Sequence, residues 1–547
     1  MPIAGSTAAA ESDDAVRLVL ILVVDQLRRD RLDATLPGGL GELVRGGRVF
    51  RDSLVDHAMT ETCPGHVVVA TGIHPGAAGI PGNRTADPET GEVLYCVLDK
   101  SERGQVLGHP EAEGRSPVRI RVTSLGDWMK FQRPQTRVFS LSAKDRSAIA
   151  LGGRRPDAAY WFERQGRVGF STSRYYMETL PDWVEAWNGE DPPNDGFLSR
   201  VPERWEHSIE APARNGVVRS DSFSGEDSSY RGTSGHGIHD DDLEEFADRL
   251  YHSHFLDDVT LDFARQLVLN EGLGRGSAPD LLAIGLSATD PIGHFYGPES
   301  HESIDSLLRL DAALGRFLAF LDEQLGRGRV LVALTADHGV LPLPEWLEAT
   351  GRSRCASDDG RADIRWMAAG LLWRLHSRLS PFFSIPRSWI ALGGSQLWVK
   401  RSLARRHGVP VERVMEVAAE YLEGYDEIAR VWTAAEIQAE QSPVARLYRN
   451  SYDVERGGDL VIQLAEGCLL RVGDQGTTHG TPHLYDRAVP LLFYGPGVTP
   501  GVVEGPAATV DVAPTLAAQL GVPIPDGLDG RALDLVGGEP AESSLGR

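Results

Sequence analysis

The chain has 547 residues and a formal net charge of -23, with 41% hydrophobic and 24% charged residues. The composition is that of a globular protein, and the length exceeds one simple core but fits a large α/β enzyme with an inserted lobe. The charge excludes a nucleic-acid-binding surface, which would repel a phosphate backbone; small anionic substrates stay open, because metals and cations in a cleft reverse the field locally.

In chain order, residues 1–15 lack a basic region followed by an apolar stretch and do not read as a signal peptide. If this start is native the expected compartment is the cytoplasm; if a leader has been removed it is the periplasm or the exterior. The run 18–24 is too short to span a bilayer, and no transmembrane segment is expected. Apolar, β-branched runs at 18–24, 137–141, 281–286, 330–334 and 489–494 predict strands, and the helical patterns between them predict a mostly parallel sheet covered by helices on both faces. Ile304, Leu307, Leu308, Leu314, Leu318, Leu321 and Leu325 recur at helical spacing, as a crossover helix requires.

Two stretches break the alternation. Residues 188–248 are rich in Gly, Asp, Ser and Pro and read as a long loop region. Residues 342–465 carry helices of their own (Val411, Val414, Val417, Tyr421), and a hairpin pattern at 460–462 and 469–470 closes that section; it reads as an inserted cap domain. Within it, 366–392 is aromatic and arginine-rich. With Pro381 and Pro386 interrupting it, the segment reads as cap core rather than a membrane-surface helix. The catalytic core is then 16–341 and 466–537, with flexible termini at 1–15 and 538–547. Cys63, Cys96, Cys355 and Cys468 form no CxxC pair, which excludes a zinc ribbon or thioredoxin-type motif. Their spacing leaves disulfides open, and they read as four small buried hydrophobes.

The chemistry lies where the strands end. Three apolar runs lead into an aspartate: Asp25, Asp290 and Asp337. Ligands of open parallel sheets bind outside the carboxyl ends of the strands, so these carboxylates should converge. His294 follows Asp290 by four residues, His338 directly follows Asp337, and His479 lies in the small-residue segment 476–480. Asp with His and without Cys suits a catalytic zinc site. Any one of these histidines alone reads as an ordinary core or surface residue; the set favours metal.

In 60–72, Pro64 fits the first position of a helix, which puts Thr62 and Cys63 at an N-terminus that attracts anions. Taken alone, Thr62 reads as a capping residue; as a nucleophile it needs a base or a metal to activate its hydroxyl. Asn83 can donate a side-chain N–H to an oxyanion. Lys144 and Arg146, just past the run 137–141, would complement a terminal phosphoryl group with two negative charges.

Taken together, VVDQLRRD around Asp25, TCPGH around Thr62, GN at Asn83, SAKDR around Lys144, TDPIGH around Asp290, TADHG around Asp337 and THGTP around His479 resemble the alkaline phosphatase superfamily over nearly the whole chain. The terminal helix pattern at 510–522 resembles it too. The match is to bacterial alkaline phosphatases with a threonine nucleophile, relatives of the type I phosphodiesterase/nucleotide pyrophosphatases. That resemblance implies two Zn2+ ions, one held by Asp25, Thr62, Asp337 and His338, the other by Asp290, His294 and His479. It implies hydrolysis of small-molecule phosphate monoesters through a phosphothreonine at Thr62, with Asn83, Lys144 and Arg146 on the phosphoryl oxygens. His483 is a rival ligand, but the pattern points to the histidine of the THG triplet.

The alternatives are a phosphodiesterase or nucleotide pyrophosphatase with the same metals, disfavoured by the Lys144/Arg146 pair, and a non-catalytic metal-binding scaffold, disfavoured because ligands and nucleophile are all present. A sulfatase would need a C/S-x-P-x-R motif that 63–66 does not supply, and a cofactor-independent phosphoglycerate mutase would use serine. Recognition of the leaving group is assigned to loops of the cap, and oligomeric state is left open.

Overall fold

The computed structural model describes residues 15–192, 194–206, 223–226, 236–357, 360–379 and 388–537. Apart from Ala15, the predicted flexible termini lie outside this set, as do Pro381 and Pro386. Nine strands form the central sheet: β1 (Leu18–Val24), β2 (Arg48–Leu54), β3 (Val138–Ser142), β4 (Ala158–Glu163), β5 (Gly169–Ser171), β6 (Asp280–Leu286), β7 (Val330–Thr335), β8 (Leu491–Tyr494) and β9 (Gly501–Ala508). Their order is β9-β2-β8-β7-β1-β6-β3-β4-β5. The central run from β7 to β4 is parallel, as is the β9–β2 pair. The pairs made by β8, and the β4–β5 pair, are antiparallel.

Every residue of β1 is buried, and its alternation sorts them onto two cores. Leu18, Leu20, Leu22 and Val24 face one cluster, built with the helices Phe255–Glu271 and His301–Leu325. Val19, Ile21 and Val23 face the other, built with the helices Leu125–Gln132 and Val512–Gln519. A strand covered on both faces has no polar side, which is why it reads as an unbroken apolar run. Sequence did not mark β2, β4, β5 or β9; β2 and β9 alternate weakly because they lie at the partly exposed end of the sheet, whereas β4 and the short β5 are buried almost throughout. The run at 489–494 is a strand, but it runs antiparallel to β7.

Residues 390–464 contribute a second, four-stranded sheet whose apolar face packs on the helices Ile364–Leu379 and Val411–Leu422. This is the inserted cap. The expected hairpin does not form: Leu460–Leu464 lies between Gln396–Val399 and Ile428–Thr433, while Leu469–Arg471 pairs in parallel with Arg361–Asp363. Strand partners were available on both sides, so the short turn was not used. In the helix Ile364–Leu379, Met367, Leu371 and Leu375 are buried in the cap core, and Trp366 and Trp373 are exposed.

The described part of 188–248 is more ordered than its composition suggests. Arg204–Trp205 pairs with His236–Gly237, and Leu243–Tyr251 is a helix capped by Asp242. Phe197, Trp205, Ile238 and Phe246 from this region join the main core. The cysteines also pair, Cys63 with Cys96 and Cys355 with Cys468. They are cross-links, not the lone hydrophobes that their spacing suggested, because pairing is decided by tertiary proximity.

Four helices position the site: α1 (Thr62–Thr71), α2 (Asp145–Gly152), α3 (Thr289–Tyr296) and α4 (His301–Leu325).

Candidate active site

β1 lies between β6 and β7 in register, with Val24 opposite Leu286 and Val23 opposite Thr335. In-register parallel strands end together, so Asp25, Asp290 and Asp337 emerge at one edge of the sheet. His338 beside Asp337, His294 on α3 with Asp290, and His479 from one further segment complete two compact donor groups, Asp25–Asp337–His338 and Asp290–His294–His479. Within each group the nearest donor atoms lie within 4.8 Å of one another. The groups adjoin, since the rings of His338 and His479 stack at 3.6 Å between centroids.

The tautomers are set by backbone carbonyls. Nδ1 of His338 donates to Gly339 O at 3.0 Å, Nδ1 of His294 to Thr477 O at 2.8 Å, and Nδ1 of His479 to Thr60 O at 2.6 Å. Carbonyls only accept, so each ring carries its proton on Nδ1 and presents the Nε2 lone pair. Burial pushes the His338 imidazole down to about 3, which keeps it neutral. In the first group, Asp25 Oδ1, Asp337 Oδ2 and His338 Nε2 are buried with no hydrogen-bond partner. Three converging acceptor atoms desolvated together would be costly unless a cation satisfied them. The residues therefore fit a divalent metal.

Lys144 takes an unexpected position. Its Nζ donates to Asp25 Oδ2 and to Asp290 Oδ2 at 2.5 Å each, one carboxylate from each group. Burial opposes its charge, but Asp25 and Asp290 hold the ammonium above its ordinary range. Asp25 moves upward, first through burial and then through Asp337, with Lys144 opposing. Asp290 is held well below the usual carboxylate range: burial works against ionisation, and His294 and Lys144 outweigh it.

Thr62 opens α1 and is 1% exposed. The helix starts at Thr62 with Glu61 as its N-cap, so Pro64 stands third rather than first, still within the turn whose N–H groups have no helical acceptor. Gly65 brings α1 against the loop after β7, because a Cβ there would sit 2.5 Å from Asp337 O. His66, one turn after Thr62, contacts Thr62 O at 2.8 Å through Nδ1, which is also 3.3 Å from Asp337 Oδ2. Asn83 Oδ1 accepts from Cys63 N–H at 2.8 Å, which fixes the amide orientation and makes Nδ2 the outward donor. Arg146 Nη2 lies 3.4 Å from Thr62 Oγ1, its Nη1 donates to Tyr95 OH at 3.3 Å, and its Nε is buried with no partner. His483 is elsewhere, with Nε2 on Leu464 O at 3.0 Å.

Beside Arg146 opens a cleft of about 830 Å³ lined by Tyr95, Arg115, Lys144, Glu163 and Tyr251 among others, none of them from 342–465. This cleft beside Lys144 and Arg146 is lined by the core and not by cap loops. The cap instead contacts the segments that carry Thr62 and Asn83: Gln396 Nε2 donates to Pro81 O at 3.2 Å and Ser395 contacts Met59.

Sequence reasoning missed Gln26, His66 and Thr60, which contact Asp290, Asp337 and His479, and Tyr95, which holds Arg146. His66 had a signal, since it stands one helical turn from Thr62. Tyr95 had none.

Residues 19–485 match the family described as type I phosphodiesterase / nucleotide pyrophosphatase. The chain belongs to that family. Among relatives of this phosphodiesterase-family protein, the alkaline phosphatase PhoK of a Sphingomonas species is 32% identical, over 96% of this chain and 92% of its own. A protein of Myroides odoratus named calcium-transporting ATPase is 30% identical, over 95% of this chain and 94% of its own. The crystal structure of the alkaline phosphatase PafA superposes with a TM-score of 0.86 at 27% identity, covering 96% of this chain and all of that one.

Proposed function

We propose that this family member is an alkaline phosphatase that transfers the phosphoryl group of a monoester to Thr62 and then to water. The observation that carries the reading is the pair of donor groups at the strand ends, with Thr62 at the start of α1 beside them and Arg146 3.4 Å from its hydroxyl. Asp25, Asp337, His338 and Thr62 would hold one zinc, and Asp290, His294 and His479 a second. Bound there, divalent metal supplies Lewis acidity to the threonine hydroxyl and to the leaving oxygen.

The chain's own groups do the rest. Thr62 Oγ1 forms the bond to phosphorus as the bond to the alcohol oxygen breaks, and hydrolysis of the phosphothreonine restores the hydroxyl and releases phosphate. Arg146, with its partnerless Nε, and the outward Nδ2 of Asn83 supply donors where charge accumulates on the phosphoryl oxygens. Lys144 adds a cation that can serve the same oxygens or its two carboxylates. Two cations suit the dianionic phosphoryl group of a monoester better than the monoanion of a diester, which separates this reading from the phosphodiesterase chemistry in the family's description.

The relatives' names support the same reading, two of them being alkaline phosphatases. The third relative's name concerns calcium transport; among the described residues no helix is long and apolar enough to cross a membrane.

Hydrolysis of p-nitrophenyl phosphate and bis-p-nitrophenyl phosphate, with and without a chelator, tests the proposal on wild type, Thr62→Ala and Lys144→Ala/Arg146→Ala. Wild type should prefer the monoester and lose activity on chelation. Thr62→Ala should lose at least about a thousandfold in kcat. The double variant should lose the monoester preference. A diester preference in wild type would refute the monoesterase assignment, and full activity in Thr62→Ala would refute the nucleophile.

A further inference from the structure

Gln26 follows the ligand Asp25 directly and has φ +66°, the only non-glycine residue with positive φ among the described residues. An L side chain pays about 1 kcal/mol or more for that conformation, and Gln, unlike Gly or Asn, has no local reason to adopt it. Something in the tertiary structure must hold it there. Gln26 is 5% exposed, and its polar groups go in two directions. Its backbone N–H donates to Asp337 Oδ1 at 3.1 Å. Its side-chain Nε2 donates to Asp290 Oδ1 at 2.7 Å and to Asp290 O at 3.3 Å. The first acceptor belongs to one donor group, the second to the other.

The surroundings are built to this residue. Its Oε1 occupies the space that a Cβ on Gly293 would need, so α3 approaches the turn only because position 293 has no side chain. Asp337 Oδ1 also accepts from His338 N–H at 2.9 Å. Oδ1 is thereby fully used, and Oδ2 is the oxygen left facing His338 Nε2 at 3.3 Å. The donors on Gln26 are neutral, so they orient both carboxylates without competing as charges for a cation.

We infer that Gln26 is a positioning residue that locks the two metal-binding groups to one another. The αL turn aims its backbone at the first group, and the side chain reaches the second. The inference rests on the proposal that these groups bind metal. Loss of the amide takes the Gln26 donor from Asp290 Oδ1 and leaves Lys144 on Oδ2, while Asp337 keeps its backbone donor, so the two groups should respond unequally.

The test is metal retention. Wild type, Gln26→Ala and Gln26→Asn are loaded with zinc and dialysed against graded chelator; bound zinc is counted, and kcat, KM and Tm are measured. Asn tolerates φ near +60° but is one methylene too short to reach Asp290, so it keeps the turn folded while withdrawing the side-chain donor. Both variants should lose one of two zinc equivalents at about 10- to 100-fold less chelator than wild type. kcat should fall with KM nearly unchanged, and added zinc should restore it. Wild-type retention of both equivalents together with wild-type kcat in Gln26→Asn would overturn the inference alone. A wild-type protein that binds fewer than two equivalents would overturn the two-metal reading and this inference together.

Discussion

Gly65 shows how little room the site leaves at the scale of one residue. An added Cβ would fall 2.5 Å from Asp337 O and 2.6 Å from its Cβ, and neither backbone nor a buried carboxylate side chain can give way cheaply. The helix that begins at Thr62 therefore touches the loop of Asp337 almost backbone to backbone, and displacing it moves Thr62 relative to Asp337. Gly65→Ala should cost about 10- to 100-fold in kcat, in line with the sensitivity of reacting geometry to sub-ångström shifts. Gly237→Ala is the matched control, since nothing lies within 4 Å of its added Cβ. Steady-state kinetics on both variants, with Tm to confirm folding, checks this; equal kinetics in the two would show that α1 has slack. Sequence offered Gly65 only as a letter in TCPGH, because a missing Cβ acquires meaning once its neighbour is known.

Between elements, the junction at His74 joins segments far apart in the chain. His74 lies just past α1, with Nε2 3.0 Å from Asp56 Oδ2 after β2 and Nδ1 3.3 Å from Asp529 Oδ2 near the carboxyl end. Asn450 of the cap donates to Asp56 O at 2.6 Å. Burial opposes protonation of His74, but hydrogen bonds to Asp529 and Asp56 raise it to about 9. The unfolded imidazole titrates near 6.5, so the junction's contribution is complete below about pH 6.5 and is lost as pH rises through about 9. The shift corresponds to at most roughly 3 kcal/mol. His74→Gln should be less stable than wild type in urea at pH 6, and the difference should shrink to near zero above pH 10. A gap that stays constant with pH would mean that packing, not charge, holds the junction.

For the whole molecule, the disulfides tie distant parts of the chain and make different predictions. Cys355–Cys468 closes a loop with a sequence separation of 113, and Cys63–Cys96 one of 33. Chain entropy puts each at about 3–5 kcal/mol, the longer loop slightly more. Asn83 sits between the second pair, with Cys63 N–H on its side chain and Cys96 N–H on its carbonyl at 3.0 Å. Cys355→Ser/Cys468→Ser should lower Tm and leave kcat at low temperature near wild type. Cys63→Ser/Cys96→Ser should lower both, because it loosens the hold on Asn83 and the first turn of α1. Thermal melts paired with kinetics separate the two cases, and an unchanged kcat in the second variant would remove the disulfide from the site's support.

The sequence by itself determined five strands of the central sheet, β1, β3, β6, β7 and β8, and the gathering of three carboxylates at the strand ends. Strands buried on both faces must be apolar throughout, and a parallel sheet gathers at one edge the residues just past its strands. Asp25, Asp290 and Asp337 could therefore be placed together from local pattern alone. The motifs around Thr62 and the histidines are short and local for the same reason. Only the tertiary structure decided the rest. β2 and the edge strand β9 beside it are partly exposed and leave no periodic trace. The pairing of four cysteines, the antiparallel entry of β8 and the position of Lys144 between two carboxylates depend on which segments meet. So does Gln26, whose strained backbone is stable only because acceptors from two other strands' ends, Asp290 and Asp337, stand where its donors point.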